Sequence, residues 1–129
     1  MGDKVKLLWA AKPDDHDYSA AEDYLGLIYP PKQAKAMVAA LRRQPLATHK
    51  AKDLLRASRL PILEHSNIHV ARDLKKIGNA EPLSPVLLIR GDGQRDCPLL
   101  VADGYHRICA SWQVEEDADI PCQIGNASD

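Results

Sequence analysis

The sequence predicts a single α+β domain. The first half of the 129-residue chain carries apolar residues at helical spacing, whereas the second half contains short apolar segments of strand length. Segregated helices and strands are typical of α+β folds. A chain of this length with 45% hydrophobic residues has the size of one domain, and it can bury a core without disulfides or a structural metal.

In the first half we predict one strand and three helices, over residues 4–11, 20–29, 32–43 and 50–58. Ser19 and Glu22 have the spacing of a capping box, in which both side chains bind exposed amides at a helix start. Pro31 suits the first position of the second helix, because its missing N–H would have no partner there. Thr48 can cap the third helix.

In the second half we predict a helix over residues 68–77, strands over 85–90 and 97–102, a helix over 105–113 and a strand over 120–124. Asn67 can cap the first of these helices, and Gly78 can follow its end. The glycine-containing segment 91–94 lies between the two apolar strands, which is typical of a hairpin.

The formal net charge of −1 hides an uneven distribution. Residues 31–63 carry eight Lys and Arg against one Asp, whereas residues 1–30 and 115–129 are acidic. Such a basic block can neutralise nucleic-acid phosphates or bind an acidic protein partner. The candidates for this role are Arg42, Arg43, Lys52, Arg56 and Arg59. The alternative is that they form solvated helix faces, balanced by the acidic C-terminal segment folding back. Because no aromatic residue interleaves the block, base stacking on it is not expected.

The segment with the most chemical information is a strand that enters a helix through a glycine. The apolar residues 99–102 precede Asp-Gly-Tyr-His-Arg at 103–107, and helical residues follow. Such a turn leaves the first helical amides unpaired at the positive end of the helix dipole, which favours an anion. Arg107 adds a forked cation and His106 a second donor. The alternative is a turn in which Arg107 only pairs with Asp103.

This arrangement resembles the ParB/sulfiredoxin superfamily, in which a strand ending in Gly-x-His-Arg or Gly-Glu-Arg-Arg enters a helix and the turn binds nucleotide phosphates. The resemblance covers roughly residues 67–124. It implies a small mixed sheet packed against helices at 64–124, with 1–63 as an added helical N-terminal region of the same domain. It also implies that Asp103 orients a phosphate- or nucleotide-binding set. That set is Asp103, Gly104, Tyr105, His106, Arg107 and Lys75.

In this superfamily a basic residue on the preceding helix often joins the phosphate site. Lys75 and Lys76 are the candidates here. Only one of them can face the turn, because neighbours on a helix point about 100° apart. We favour Lys75, since Lys76 can equally be a solvated charge near the C-terminal end of the helix dipole.

Two departures from the superfamily pattern limit the activity that the resemblance implies. Sulfiredoxins have a nucleophilic cysteine where this chain has Tyr105, and a phenol of pKa about 10 cannot replace a thiolate. The protein is therefore not expected to be a sulfiredoxin, and we expect Cys97, Cys109 and Cys122 to be buried and inert. ParB proteins continue into a helix-turn-helix that this sequence does not contain, so ParB-type sequence-specific DNA binding is not expected.

The sequence thus favours a nucleotide- or phosphate-binding domain, with a nucleoside triphosphate and Mg²⁺ as the expected ligand and cofactor. Nucleotide hydrolysis or phosphoryl transfer would suit these residues, but no catalytic residue can be assigned. The alternative is a non-catalytic module that binds DNA or a protein partner through the basic helices at 31–63. We expect no protein-bound metal, because His65 and His69 lack further ligands. A cytoplasmic protein that does not bind membranes, able to form a homodimer, is expected.

Overall fold

The chain folds into helices on both faces of a four-stranded sheet, as seen in a computed structural model that describes residues 5–127. The elements are α1 (Asp15–Leu25), α2 (Pro31–Arg42), β1 (Ala47–Lys50), α3 (Ala51–Ser58), α4 (Ile68–Gly78), β2 (Val86–Ile89), β3 (Leu100–Asp103), α5 (Tyr105–Val114) and β4 (Asp119–Gly125). The predicted α+β class is confirmed. Between residues 5 and 127, no helix has the length and apolar character needed to cross a membrane.

The sheet has the strand order β1-β4-β2-β3. Strands β2 and β4 are parallel, whereas β1 pairs antiparallel with β4 and β2 pairs antiparallel with β3, so the sheet is mixed. The β2–β3 pair confirms the predicted hairpin, with a short 3-10 turn at Gly93–Arg95 in its connection. All four residues of β2 are buried, as expected for a central strand with both faces covered.

Two layers of core lie on opposite faces of the sheet because successive side chains of a strand alternate. Leu87 and Ile89 of β2 pack with α1 and α2, and all these core side chains are buried. Val86 and Leu88 pack with α3, α4 and α5 on the other face. The short connection from β3 to α5 therefore lies at one end of the sheet, on the side that α3, α4 and α5 cover.

The predicted first strand, 4–11, does not form between residues 5 and 11, and Lys4 lies outside the described residues. Trp9 makes only an isolated parallel bridge with Leu83. Leu83 exchanges backbone hydrogen bonds with Leu8 and Ala10, both at 2.8 Å. The pairing stops there because Pro82 and Pro85 flank the partner residue and have no N–H to donate.

Helix α1 begins five residues earlier than predicted, and Ser19 and Glu22 lie inside it. Its cap is Asp14, whose N–H donates to the Asp17 carboxylate at 3.0 Å. Acidic residues in the first turn interact favourably with the helix dipole. The acidic cluster at 14–17 therefore forms the start of a helix.

Strand β1 was not predicted from the sequence, which favours Thr48 as the N-cap of the third helix. Residues 47–50 instead pair with 119–122 of β4, and Lys50 precedes α3. All four β1 residues are exposed and mostly polar, so they show no alternation that would predict a strand. The N-terminal region 1–63 is consequently not purely helical, since it contributes an edge strand to the sheet.

Helix α4 begins as predicted, with the Asn67 side chain accepting hydrogen bonds from the backbone N–H groups of His69 and Val70 at 2.9 and 3.2 Å. Gly78 is its last residue rather than the residue beyond its end, and Ala80 takes the left-handed conformation. We expect Asn67→Ala to lower the free energy of unfolding by about 1 kcal/mol. Urea unfolding will measure this change.

The control for this cap substitution is Ser66→Ala, at the exposed residue just before the cap. Ser66 makes no hydrogen bond with the part of the chain between residues 5 and 127, so we expect its replacement to leave the stability nearly unchanged. Equal losses in the two variants would contradict the capping role of Asn67.

Candidate functional site

A polar cleft of about 230 Å³ lies between α4 and the turn from β3 into α5. Helix α4 and the turn each contribute four of its lining residues. They are His69, Arg72, Asp73 and Lys76 from α4, and Asp103, Gly104, His106 and Arg107 from the turn. The structure thus brings together four of the six residues of the predicted phosphate site.

Gly104 is the point at which β3 becomes α5. Its φ of +112° is a conformation that L residues rarely adopt, and it is the N-cap residue of α5. A Cβ at this position would lie 2.8 Å from Cβ of Val86 and 3.0 Å from Nη2 of Arg107. Only glycine therefore permits this close turn. The backbone N–H groups of the first turn of α5, which follow Gly104 directly, have no partner within the helix.

Arg107 is held by two carboxylates and a backbone carbonyl. Its Nη2 donates to Oδ2 of Asp103 at 2.8 Å and to the Pro85 carbonyl at 3.4 Å. Its Nη1 lies 4.0 Å from Oδ1 of Asp17, a buried residue of α1. The predicted pairing of Arg107 with Asp103 is thus present, and the same guanidinium also lines the cleft.

Asp17 was not predicted from the sequence, because only the packing of α1 against β3 brings it to the turn. Burial raises the pKa of the Asp103 carboxyl, and the nearby Asp17 carboxyl raises it further, whereas Arg107 opposes the rise. Burial, together with the second carboxyl nearby, therefore makes protonation of Asp103 easier than in water, despite the opposing guanidinium.

Two imidazoles face each other across the cleft. The ring centroids of His69 on α4 and His106 on α5 are 4.6 Å apart. Burial lowers the pKa of His106, and His69 lowers it further, while Asp73 opposes this effect. His106 is therefore neutral at pH 7 and can gain a proton when an anion is close.

Lys76, not Lys75, lines the cleft, so the preference for Lys75 was wrong. The four cleft residues of α4 lie at positions 69, 72, 73 and 76, which is the spacing of one helical face. Lys75 points about 100° away from its neighbour. The polar residues at this spacing are a signal in the sequence that could have identified His69, Arg72 and Asp73.

Asp73 is the second carboxyl of the cleft. Burial raises its pKa, although Arg107, Lys76, His106 and Arg72 all act in the opposite direction. Counting the arginines, the lysine and the carboxyls alone, the cleft carries three cationic side chains against two carboxyls. It therefore has a formal charge of +1 and attracts an anion.

Tyr105 belongs to the turn in sequence but does not line the cleft. Its hydroxyl donates to the Pro61 carbonyl at 2.5 Å, and its ring packs against the core. Burial raises the pKa of this phenol and also that of Cys109. Cys109 and Cys122 are buried as predicted, whereas Cys97 is exposed, contrary to the prediction.

The five basic candidates of the 31–63 block do not form one surface. Helices α2 and α3 pack on opposite faces of the sheet, so Arg42 and Arg43 are separated from the other three. Four of the five pair with acids: Arg42 with Asp15, Lys52 with Asp117, Arg56 with Asp53 and Arg59 with Asp96. The pair with Asp117 shows that the acidic C-terminal segment does fold back onto α3.

One aromatic residue does approach this block. Trp112 of α5 lines a groove of about 480 Å³ together with Lys52, Arg56, Arg59 and apolar side chains. No aromatic residue lies within the basic block in the sequence, but the packing of α5 against α3 places Trp112 beside three of its basic residues.

No group of three or more His, Cys, Asp or Glu side chains that could hold a metal ion occurs between residues 5 and 127. The cleft also contains no serine, threonine or cysteine that could act as a nucleophile. Its residues are suited to binding an anion through charge-assisted hydrogen bonds. Comparisons with protein-family models, curated proteins and solved structures found no match to this chain.

Proposed function

We propose that the protein binds the phosphate groups of a nucleoside triphosphate in the cleft between α4 and the β3–α5 turn. The observation that carries this proposal is the convergence of Arg72, Lys76 and Arg107 from two elements on one small polar cleft beside the start of α5. Guanidinium and ammonium groups donate strong hydrogen bonds to phosphate oxygens, and the helix start adds free amides.

Mg²⁺ is the cofactor that this site would accept together with the phosphates. Magnesium in proteins is commonly held by one or two carboxylates plus substrate phosphates, with water completing the shell. Asp73 fits this role better than Asp103, because Asp103 already accepts a hydrogen bond from Arg107. Bound Mg²⁺ would neutralise part of the phosphate charge, which a cleft of formal charge +1 cannot balance alone.

Titration calorimetry with ATP, CTP and GTP, with and without Mg²⁺, tests the proposal. We expect Lys76→Ala to weaken binding about tenfold or more, since a hydrogen bond to a charged group contributes about 1.5–3 kcal/mol. Lys75→Ala is the matched control, because the adjacent lysine does not line the cleft and should bind like the parent protein.

Two results would contradict the proposal. Absence of binding by all three nucleotides at millimolar concentration would exclude a nucleotide site. Equal losses in Lys75→Ala and Lys76→Ala would show that binding depends on general surface charge rather than on the cleft.

The affinity for phosphate should rise as the pH falls from 8 to 6. The lowered pKa of His106 leaves it neutral at the upper end, and a bound phosphate raises that pKa, so binding takes up a proton. A shift of one pKa unit corresponds to about a tenfold change in affinity. Burial also raises the pKa values of Asp73 and Asp103, and protonation of either carboxyl would act in the same direction.

His106→Asn provides the comparison that isolates the histidine. The ligand titrates near pH 6 as well, but its titration is common to both proteins and cancels in their ratio. We therefore expect the ratio of parent to variant affinity to increase as the pH falls. A ratio that stays constant would rule out His106 as the group that takes up the proton.

Binding to DNA or to an acidic protein stays a prediction. Because its basic residues lie on two faces of the sheet, we do not include it in the proposed function. DNA binding through them would weaken steeply as the salt concentration rises. If replacing both Arg56 and Arg59 with alanine removes that salt dependence, the result would favour DNA binding through the basic residues.

A further inference from the structure

We infer that the cleft recognises the phosphoanhydride chain alone, so that it binds inorganic tripolyphosphate as well as it binds any nucleoside triphosphate. This inference rests on the proposed function, and it specifies the chemical class of the ligand.

The side chains that line the cleft suit phosphate groups rather than a nucleobase. Protein sites that read a nucleobase commonly use side-chain amides, hydroxyls or backbone groups along the base edge, and the rings of Phe, Tyr or Trp on its face. Among the described residues, no Asn, Gln, Ser, Thr, Tyr, Phe or Trp side chain lines this cleft. Its donors are instead guanidinium, ammonium and imidazole groups, which suit phosphoryl oxygens.

The cleft is too small to enclose a whole nucleotide. Pockets that enclose a drug-sized ligand have volumes of roughly 300–1,000 Å³. The cleft has about 230 Å³, which is enough for phosphoryl groups but not for a whole nucleotide. A base attached to a phosphate chain in the cleft would therefore extend beyond the walls that hold the phosphates.

The aromatic rings nearest the cleft all make other contacts. Tyr105 follows Gly104 directly, but its hydroxyl is bonded to the Pro61 carbonyl and its ring packs on the core. Trp112 lies two turns further along α5 and lines a different groove. The two imidazoles in the cleft contact each other, with their centroids 4.6 Å apart. None of these rings provides a base pocket in the cleft.

The charged side chains of the cleft attract the phosphate groups of a nucleotide and not its base. The cleft contains three permanent cations and two carboxyls, all within reach of one compact ligand. Phosphate groups carry the whole charge of a nucleotide, whereas the base and ribose are neutral at pH 7. Electrostatic attraction therefore acts on the phosphate chain and does not depend on the group attached to it.

The experiment measures the affinities of four compounds for the full chain in the presence of Mg²⁺: tripolyphosphate, ATP, CTP and GTP. We expect all four dissociation constants to agree within fivefold, and adenosine and cytidine not to bind. Any nucleotide that binds more than fivefold more tightly than tripolyphosphate would overturn the inference. If none of the four binds, the proposed function itself fails, so the two failures are distinguishable.

Two variants add an independent test. Lys76→Ala should weaken the binding of all four compounds by the same factor, because it removes a hydrogen-bond donor to the phosphate chain that they share. Trp112→Ala should leave the four affinities unchanged, provided that circular dichroism shows a folded protein. If either variant loses affinity for one nucleotide only, the protein recognises the base, and the inference is overturned.

Discussion

Replacing Arg107 with methionine should lower the free energy of unfolding by about 3–5 kcal/mol, because it removes one partner from a buried ion pair and leaves the other without a countercharge. The side chains of Arg107 and Asp103 are both only 16% exposed, and the facing Asp17 side chain is only 3% exposed. Without the guanidinium, two carboxyls would be buried beside each other. Urea unfolding of the parent and variant proteins will measure the difference.

Arg72→Met is the matched control for this substitution. Arg72 also lines the cleft, but it is exposed and makes no ion pair with the chain between residues 5 and 127. Surface substitutions of this kind usually change stability by no more than about 0.5 kcal/mol. Both arginines should matter for phosphate binding, so the two variants separate stability from binding. Similar losses of stability would contradict the role of Arg107 as a buried countercharge.

The destabilisation in Arg107→Met should depend on pH. In the parent protein the pKa of Asp103 is already raised by burial, and Arg107 opposes that rise. Removing Arg107 raises the pKa further above the unfolded value of about 3.9. A raised carboxyl pKa destabilises the folded state at high pH, and this cost disappears as the carboxyl is protonated. The difference between variant and parent should therefore shrink as the pH is lowered from 7 towards 4.

This ion-pair network shows which parts of the site could be predicted from the sequence. The pair between Asp103 and Arg107 has i,i+4 spacing along the chain, and it was among the alternatives read from the sequence. Asp17 comes from a helix about 90 residues away in the chain, and no local pattern connects it to the turn. The choice of Lys76 over Lys75 likewise depends on which face α4 turns towards α5.

In the fold, too, the elements with local sequence signals were predicted, and those that depend on contacts with distant residues were not. Helix α2 and helix α4 were predicted within one or two residues, because their apolar spacing and their Pro31 and Asn67 starts are local signals. Strand β1 was missed, since its four exposed residues form a strand only through pairing with β4. The start of α1 was missed because the capping interaction uses Asp14 and Asp17 rather than Ser19 and Glu22.

Gly104→Ala should lower the free energy of unfolding by about 2–6 kcal/mol, from two separate causes. A non-glycine residue at a strained backbone conformation costs about 1–3 kcal/mol, and the φ of +112° requires such a conformation. An added methyl group in a packed site costs about 1–3 kcal/mol more. Val86, which the methyl group would approach within 2.8 Å, is fully buried in the central strand β2 and cannot move aside. Thermal and urea unfolding will measure the loss.

Gly93→Ala is the matched control, since a Cβ at Gly93 would meet no atom within 4 Å and its φ is not positive. It should be neutral or slightly stabilising, because alanine restricts the unfolded chain. A double-mutant cycle with Val86→Ala then separates the two costs of Gly104→Ala. If the steric cost is real, Val86→Ala will destabilise the Gly104→Ala protein less than it destabilises the parent, because the shortened side chain makes room for the new methyl group. The loss that Gly104→Ala still causes in the Val86→Ala protein is then the backbone cost alone. If the losses of the two substitutions are strictly additive, Val86 does not restrict the turn.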